Sequence, residues 1–458
     1  MATADTRPFF TALRQDVRAL GGSPRELWIL FGVKFLESVA YFALTNLLVL
    51  YLSEDLHYGD VEAGDIYGTW TTAISVMTFF AGIVADAIGI RTALTISVAS
   101  CLLGRIVLGL TTDRTLVLVG LAVSAWGTAS MLPTMIAAVR RYTGKDTVAF
   151  GYSFFYVVMN VGAFVAPITI GALRRFFPRP VALRLPLLGS VHWSSSQLMF
   201  LVAAGATLLA MVLVTTLRKD ADVPTAVAAE PAPARQNPLK LVAQMGRERA
   251  FWGFMLFVTL LVFVKLIFQH AHQTWPKYTL REFGSTFDFA WYWSINPFMV
   301  MVFTAPMTAL TRRYSAFWCI VVGACVTAAS VFFMAASTSV WASVAFIITL
   351  SIGEMLWSPR LYEYTATIAP KGREASYMGL SSLPLFFAKM QVALMSGRLL
   401  AAYCPETGER SSRTMWLVIG LITLVGPLLI VALRKVIEPR REAAPADATG
   451  ADASAPPA

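Results

Sequence analysis

Twelve apolar runs of about twenty residues each dominate the sequence, near 27–52, 66–87, 91–110, 115–139, 149–173, 196–216, 250–274, 287–311, 315–336, 340–364, 375–401 and 414–435. Each matches the roughly 20 helical residues needed to cross the hydrocarbon core of a bilayer. In hydrocarbon a helix satisfies its backbone donors and acceptors within its own segment. The expected fold class is therefore an all-α membrane protein with twelve transmembrane helices. Composition excludes the alternatives: 57% of the 458 residues are hydrophobic and 14% are charged, against about 25% charged in soluble domains. That leaves too little charge to cover a soluble surface, and it also excludes a disordered chain or a secreted disulfide scaffold.

The stretch between the sixth and seventh runs, LRKDADVPTAVAAEPAPARQNPLK, is rich in Ala, Pro and charge and reads as a solvated linker. The organisation is then an N-terminal segment 1–26, a six-helix bundle 27–216, a linker 217–249, a second bundle 250–436 and a disordered tail 437–458, whose apolar content is too low to fold. With the N-terminus cytoplasmic, 22 Lys and Arg fall in cytoplasmic segments and 9 on the opposite side, so the positive-inside rule favours both termini in the cytoplasm. Arg174, Arg175, Arg179 and Arg184 break that trend. The net charge of +10 thus reports topology rather than nucleic-acid binding. Nine tryptophans (28, 193, 252, 275, 291, 293, 318, 341 and 416) stand near the ends of runs, as interfacial anchors do. The polar N-terminus does not read as a cleaved signal peptide, and the expected location is the inner membrane.

Between the second and third runs, Gly82-Ile-Val-Ala-Asp86-Ala-Ile-Gly89-Ile-Arg91 offers glycines for a tight turn and two charges placed to pair with each other or with a helix end. With the twelve-run layout, this resembles the GxxxDxxGxR signature of the major facilitator superfamily. The resemblance implies two six-helix bundles and a gating role for Gly82, Asp86, Gly89 and Arg91.

Three further stretches resemble the proton-dependent oligopeptide transporter family. Phe155-Tyr156-Val-Val-Met-Asn160-Val-Gly162-Ala163-Phe164 is similar to its FYxxINxGSL signature. Gly353-Glu354-Met-Leu-Trp357-Ser358-Pro359, followed by Ala369-Pro370 and Met378-Gly379, is similar to GExxxSP…AP…MG. Lys34-Phe-Leu-Glu37-Ser38-Val39-Ala40-Tyr41-Phe42 resembles ExxERFxYY, with Lys34 at the first Glu and Ser38 at the Arg. The family's fourth-helix Lys-Pro is Leu132-Pro133 here. The resemblance implies that Glu354 receives a substrate amine and that His272 stands at a seventh-helix acidic position.

Ionisable residues deep in a span cost about 2.5–3.5 kcal/mol each on insertion scales and are functional candidates by default. Here they are Lys34, Glu37, Arg105, Lys265, Glu354 and Lys389. Lys34 and Glu37 share a helix face, either as a local ion pair or as a proton-sensitive one, with Tyr41 placed to hydrogen-bond Glu37. Glu354 either binds a cationic group or pairs with one of the lysines. Lys265 and Lys389 either hold an anionic group, toggle a proton, or pair with a glutamate. Arg105 reads as a structural partner for Asp86 or a snorkelling cation. His272 is a candidate proton sensor, whereas His270 is expected to face headgroup water. Tyr156, Asn160 and Trp357 are expected to line a cavity.

The four cysteines show no CxxC or metal spacing, and no P-loop or catalytic triad occurs. No metal, cofactor or enzymatic activity is expected. The expected function is proton-coupled symport of a small zwitterionic or anionic solute, such as a short peptide or modified amino acid, by a monomer in the lipid bilayer. Proton-driven efflux of drugs or metabolites, or a non-transporting sensor, are the alternatives. Protonation is expected at Glu37, His272 or Glu354.

Overall fold

The structure, a computed structural model, describes residues 18–144, 147–185, 189–218, 247, 249–311, 313–368 and 383–437; at some of these positions, 82–87 among them, it describes the backbone only. Most of the expected linker and tail, and the Ala369-Pro370 and Met378-Gly379 parts of the tenth-helix motif, lie outside the described residues.

Among the described residues, twelve helices of sixteen residues or more correspond in order to the twelve apolar runs. The first half holds α1 (Arg25–Glu54), α2 (Asp60–Ile88), α3 (Ile90–Leu110), α4 (Arg114–Tyr142), α5 (Val148–Phe176) and α6 (Ser195–Thr215). The second holds α7 (Arg249–Gln273), α8 (Trp275–Phe283), α9 (Phe289–Trp293), α10 (Ile295–Leu310), α11 (Ala316–Ala336), α12 (Val340–Ile368), α13 (Leu383–Tyr403), α14 (Ser412–Ala432) and the short α15 (Arg434–Ile437). Among the described residues, nine helices are long and apolar enough to cross a membrane by length and composition.

Local chemistry sets the ends. Asp113 caps α4 by accepting from Leu116 N at 2.9 Å, and Ser194 with Gln197 forms a capping box at the start of α6. Gly89 joins α2 to α3 with φ +86°, a left-handed conformation that glycine adopts without a Cβ clash. The run 287–311 is one apolar stretch but two helices, α9 and α10. Pro297 has no N–H to give the Trp293 carbonyl, so the ladder breaks there. The loop before α6 holds an antiparallel hairpin that the helical pattern did not predict, β1 (Val181–Leu185) with β2 (Gly189–Trp193), Val181 opposite Trp193.

The two halves repeat one packing scheme. In the first, α1 packs on α5 and α6, α3 on α4 and α6, and α2 on α4. In the second, α7 packs on α13 and α14, α11 on α12 and α14, and α10 on α12, the same pairs by helix order. Between the halves, α2 meets α13 and α5 meets α10, which the same two-fold relation interchanges, and α1 meets α7 on the pseudo-axis. Two six-helix bundles about such an axis frame a central site near mid-bilayer.

Small residues permit this. A Cβ on Gly162 of α5 would meet Val39 N of α1 at 3.0 Å, and one on Gly353 of α12 would meet Gly323 O of α11 at 2.8 Å. Backbones this close gain packing contacts that lipid tails cannot supply.

Of the nine tryptophans expected at the interface, Trp28, Trp252, Trp291, Trp318 and Trp341 are exposed, while Trp193, Trp275, Trp293 and Trp416 are buried. These four pack at the end of the bundle opposite the chain termini, here the far end. Trp275 packs at a tilt against Trp293, with ring centroids 5.9 Å apart, and Trp416 meets Tyr278 edge-on at 5.3 Å. Their place near span ends is as expected, but they face protein rather than headgroups.

Candidate functional site

Glu354 stands in the middle of α12. Its carboxylate accepts a hydrogen bond from Asn296 Nδ2 of α10 at 2.9 Å, and the same amide donates to Ser351 at 3.0 Å. Asn296 therefore orients the acid. No lysine lies within ion-pair distance of it among the described residues. Trp357, three residues on and so on the same helix face, is buried, and Lys265 Nζ lies 5.5 Å from the centroid of its ring. Phe268 closes the edge of the same indole at 6.0 Å. Lys389, on α13, reaches across the boundary between the halves and donates to Ser75 of α2 at 3.5 Å.

In the first half the arrangement departs from the expected Lys34–Glu37 pair. Both Glu37 oxygens accept from Arg105 of α3, at 3.0 and 2.9 Å, and Arg105 also donates to Thr207 of α6. The pair is sealed, with side chains 2% and 7% exposed for Arg105 and Glu37. Arg105 thus neutralises Glu37; the side chain of Asp86, the partner the sequence suggested, lies outside the described residues. Lys34 turns instead to the ring of Phe155 at 4.7 Å. With the Glu37 carboxylate taken by Arg105, Tyr41 makes no hydrogen bond to it and packs on Phe42 at 5.3 Å. Asn160 donates to Tyr156 O one turn back, at 2.9 Å.

The histidines are also placed by packing. His270 is buried, not facing headgroup water, because α7 turns that side toward α13. Its Nδ1 lies 2.7 Å from Thr274 Oγ1, which contacts Ser396 Oγ at 2.9 Å. His272 Nδ1 lies 2.6 Å from the Phe268 carbonyl, with its ring 5.4 Å from Trp293. At the α2–α3 turn, Arg91 donates to Thr215 O at 3.0 Å, which satisfies a carbonyl at the end of α6.

The far end holds a cluster that the apolar pattern did not single out. Asp60, at the start of α2, accepts from Lys277 at 2.7 Å and from Arg281 at 2.8 and 2.7 Å, both on α8 of the other half. Lys277 also donates to Ser53, and Arg281 to the Cys404 carbonyl at 2.6 Å. Burial alone would raise the Asp60 carboxyl, but the hydrogen bonds and charges of Arg281 and Lys277 hold it below the usual value of 3.8. Beside this cluster Asn46, Pro167, Ala271, Trp275, Phe289 and Trp293 close the seam without a water-sized gap. Arg174, one of the four arginines against the topological trend, pairs with Glu54 at 3.3 Å and lies over Phe289.

Of the sequence candidates, then, Glu354, Trp357 and Lys265 come together, Lys389 joins the halves beside them, and Lys34 and Glu37 separate. Sequence reasoning missed Asn296 and Ser351 as partners of Glu354, and Asp60, Lys277 and Arg281 as a junction. A polar amide inside an apolar run was a signal for the first; the second has none within one segment.

Comparison with known proteins agrees with this architecture. The pattern of the Major Facilitator Superfamily matches residues 30–388. A solved POT family transporter in complex with a thioalcohol-conjugated peptide superposes with TM-score 0.74 at 18% identity, over 90% of this chain and 97% of that one. A peptide transporter in complex with sulfate gives TM-score 0.71 at 17% identity, over 94% and 96%. A nucleoside transporter gives 0.70 at 13%, over 89% and 100%.

Proposed function

The chain belongs to the major facilitator superfamily, and on that premise we propose that it is a proton-coupled symporter of a small zwitterionic or anionic solute, working by alternating access. The observation that carries this reading is Glu354: a carboxylate in mid-span, oriented by Asn296 and left without a lysine partner within ion-pair reach among the described residues. A buried charge without a counter-ion is costly, so its retention fits a group that exchanges a proton and a substrate ammonium. By linkage, the two ligands then bias one inward–outward equilibrium.

The halves 27–216 and 250–436 rock about the central site. With both termini cytoplasmic in the inner membrane, the far end is external, and the Asp60–Lys277–Arg281 cluster holds it shut. The α2–α3 turn, from Gly82 and Asp86 through Gly89 to Arg91, gates the cytoplasmic side. Lys265, Lys389, Lys34 and Trp357 hold the solute, Tyr41, Tyr156 and Asn160 flank it, and His272 is a second proton site. Glu37 serves as the internal counter-charge of Arg105. The solved structures with bound peptide or 5-aminolevulinic acid support a small amine-bearing solute, and the nucleoside transporter supports a second reading, a solute of another class.

The test is proton flux into liposomes holding the purified protein and an internal pH dye, under a negative-inside potential. Di- and tripeptide mixtures should acidify the lumen, and Glu354→Gln, folded in detergent, should not respond. Acidification that persists in Glu354→Gln removes the assignment. Resistance of a host strain to toxic solutes, without uptake, selects efflux.

A further inference from the structure

The charges in the membrane core do not balance. Among the described residues, the deep anions are Glu37 and Glu354, and the deep cations are Lys34, Arg105, Lys265 and Lys389. Arg105 and Glu37 cancel at 2.9 Å. Three lysines remain against one carboxylate, and none of the three lies within ion-pair distance of a carboxylate.

Each lysine has a weak partner in place of an anion. Lys34, 9% exposed, has the face of Phe155; Lys265 has the face of Trp357; Lys389, 8% exposed, has the Ser75 hydroxyl at 3.5 Å. An aromatic face or one hydroxyl favours an ammonium over bare hydrocarbon but replaces only part of its hydration, and buried charges are otherwise found paired. Trp357 adds an independent sign. Its indole N–H is buried and donates to no acceptor among the described residues. This donor is on the helix of Glu354 and beside Lys265, so unmet demand for an acceptor and unmet demand for an anion fall in one place. The helices bring these groups together: α13, which carries Lys389, packs on both α7, which carries Lys265, and α2, which carries Ser75.

We propose that the central site takes a solute of net negative charge, with one ammonium for Glu354 and at least two acidic groups for the lysines, one of them between Lys265 and Lys389 at the seam of the halves. The inference rests on the reading of this site as the transport site, and narrows it from small zwitterions and anions in general to amino acids or short peptides with an extra acid. An acid drawn to Lys389 competes with Ser75, so solute binding acts on a contact between α2 and α13.

The experiment is binding to the full-length protein in detergent at pH 6.5, read by intrinsic tryptophan fluorescence and by thermal shift, with glutamyl-glutamate, alanyl-alanine and lysyl-lysine as probes. Glutamyl-glutamate should bind at least tenfold more tightly than alanyl-alanine, and lysyl-lysine most weakly. Lys265→Met and Lys389→Met should each lose tenfold or more for glutamyl-glutamate and less than threefold for alanyl-alanine; Lys→Arg variants, which keep the charge, should retain the preference. The ranking in the unaltered protein is decisive even where a Met variant does not fold. Alanyl-alanine binding as tightly as glutamyl-glutamate, or no binding of any probe to folded protein, overturns the proposal. The expected ranking without solute-driven proton flux upholds it and removes symport. Flux driven best by alanyl-alanine upholds symport and overturns the charge preference.

Discussion

The carboxylate of Asp60 and the guanidinium of Arg281 form a two-pronged pair across the boundary between the halves, Nη1 to Oδ2 at 2.8 Å and Nη2 to Oδ1 at 2.7 Å. Lys277 binds the same carboxylate, and all three side chains are about nine-tenths buried or more. One acid from α2 thus holds two cations from α8, and the contact must break if the far end opens.

Asp60→Ala should therefore favour opening. Removing one partner of a buried pair costs about 3–5 kcal/mol, and each 1.4 kcal/mol is about tenfold in population. Spin labels at positions 62 and 407, on the two sides of the far end, should move apart in the variant. An unchanged distance distribution would show that the apolar seam closes the far end without the pair.

The pH dependence of this closure follows from the sign of the shift. The Asp60 carboxyl is held below its ordinary value of 3.8, so its contribution is complete above that value and is lost only as pH falls through the lowered one. The spacing of the same two labels should stay constant from pH 8 to pH 5 in the absence of solute. A transition near neutrality would assign the proton switch to a group other than Asp60.

Arg105→Met should lower the melting temperature of detergent-solubilised protein strongly, because it strands Glu37 without its donor, at about 3–5 kcal/mol. The double variant Glu37→Leu/Arg105→Met should regain most of that loss, since two packed apolar side chains need no counter-charge. A double variant as unstable as the single one would mean that Arg105 is held mainly by Thr207 and its packing.

Gly353→Val should yield little folded protein. Its Cβ would meet Thr327 N at 2.7 Å and Gly323 O at 2.8 Å, backbone atoms that cannot rotate away, and overpacking costs about 1–3 kcal/mol even where side chains can move. Gly205→Ala on α6, with nothing within 4 Å of the added atom, is the matched control and should be neutral or stabilising by about 0.5–1 kcal/mol. Equal yields would show that α11 and α12 can separate.

Tyr51→Phe should cost about 0.5–1.5 kcal/mol. The Tyr51 hydroxyl donates to the Thr111 carbonyl at 2.8 Å and joins the end of α1 to the loop after α3. Thermal denaturation of the variant measures this directly.

The helices and their order were legible in the amino-acid pattern, because a span in hydrocarbon must close its hydrogen bonds within its own twenty or so residues. For the same reason the interruptions at Pro297 and Gly89 were local and readable in principle. It also marked Glu354, Lys265 and Lys389, since a charge inside an apolar run stands out without any knowledge of its neighbours. What each charge faces was decided by the tertiary structure. Helical spacing offered Glu37 only Lys34, three residues away; packing of α1 and α3 on the shared neighbour α6 gave it Arg105 instead, 68 residues on. Asp60 and Arg281 are 221 residues apart, and His270 and Trp275 are buried although they stand at a span end. A one-dimensional pattern records what a residue costs to place in a membrane. Which partner meets that cost depends on which helix faces approach one another, and side chains on separate helices set that jointly.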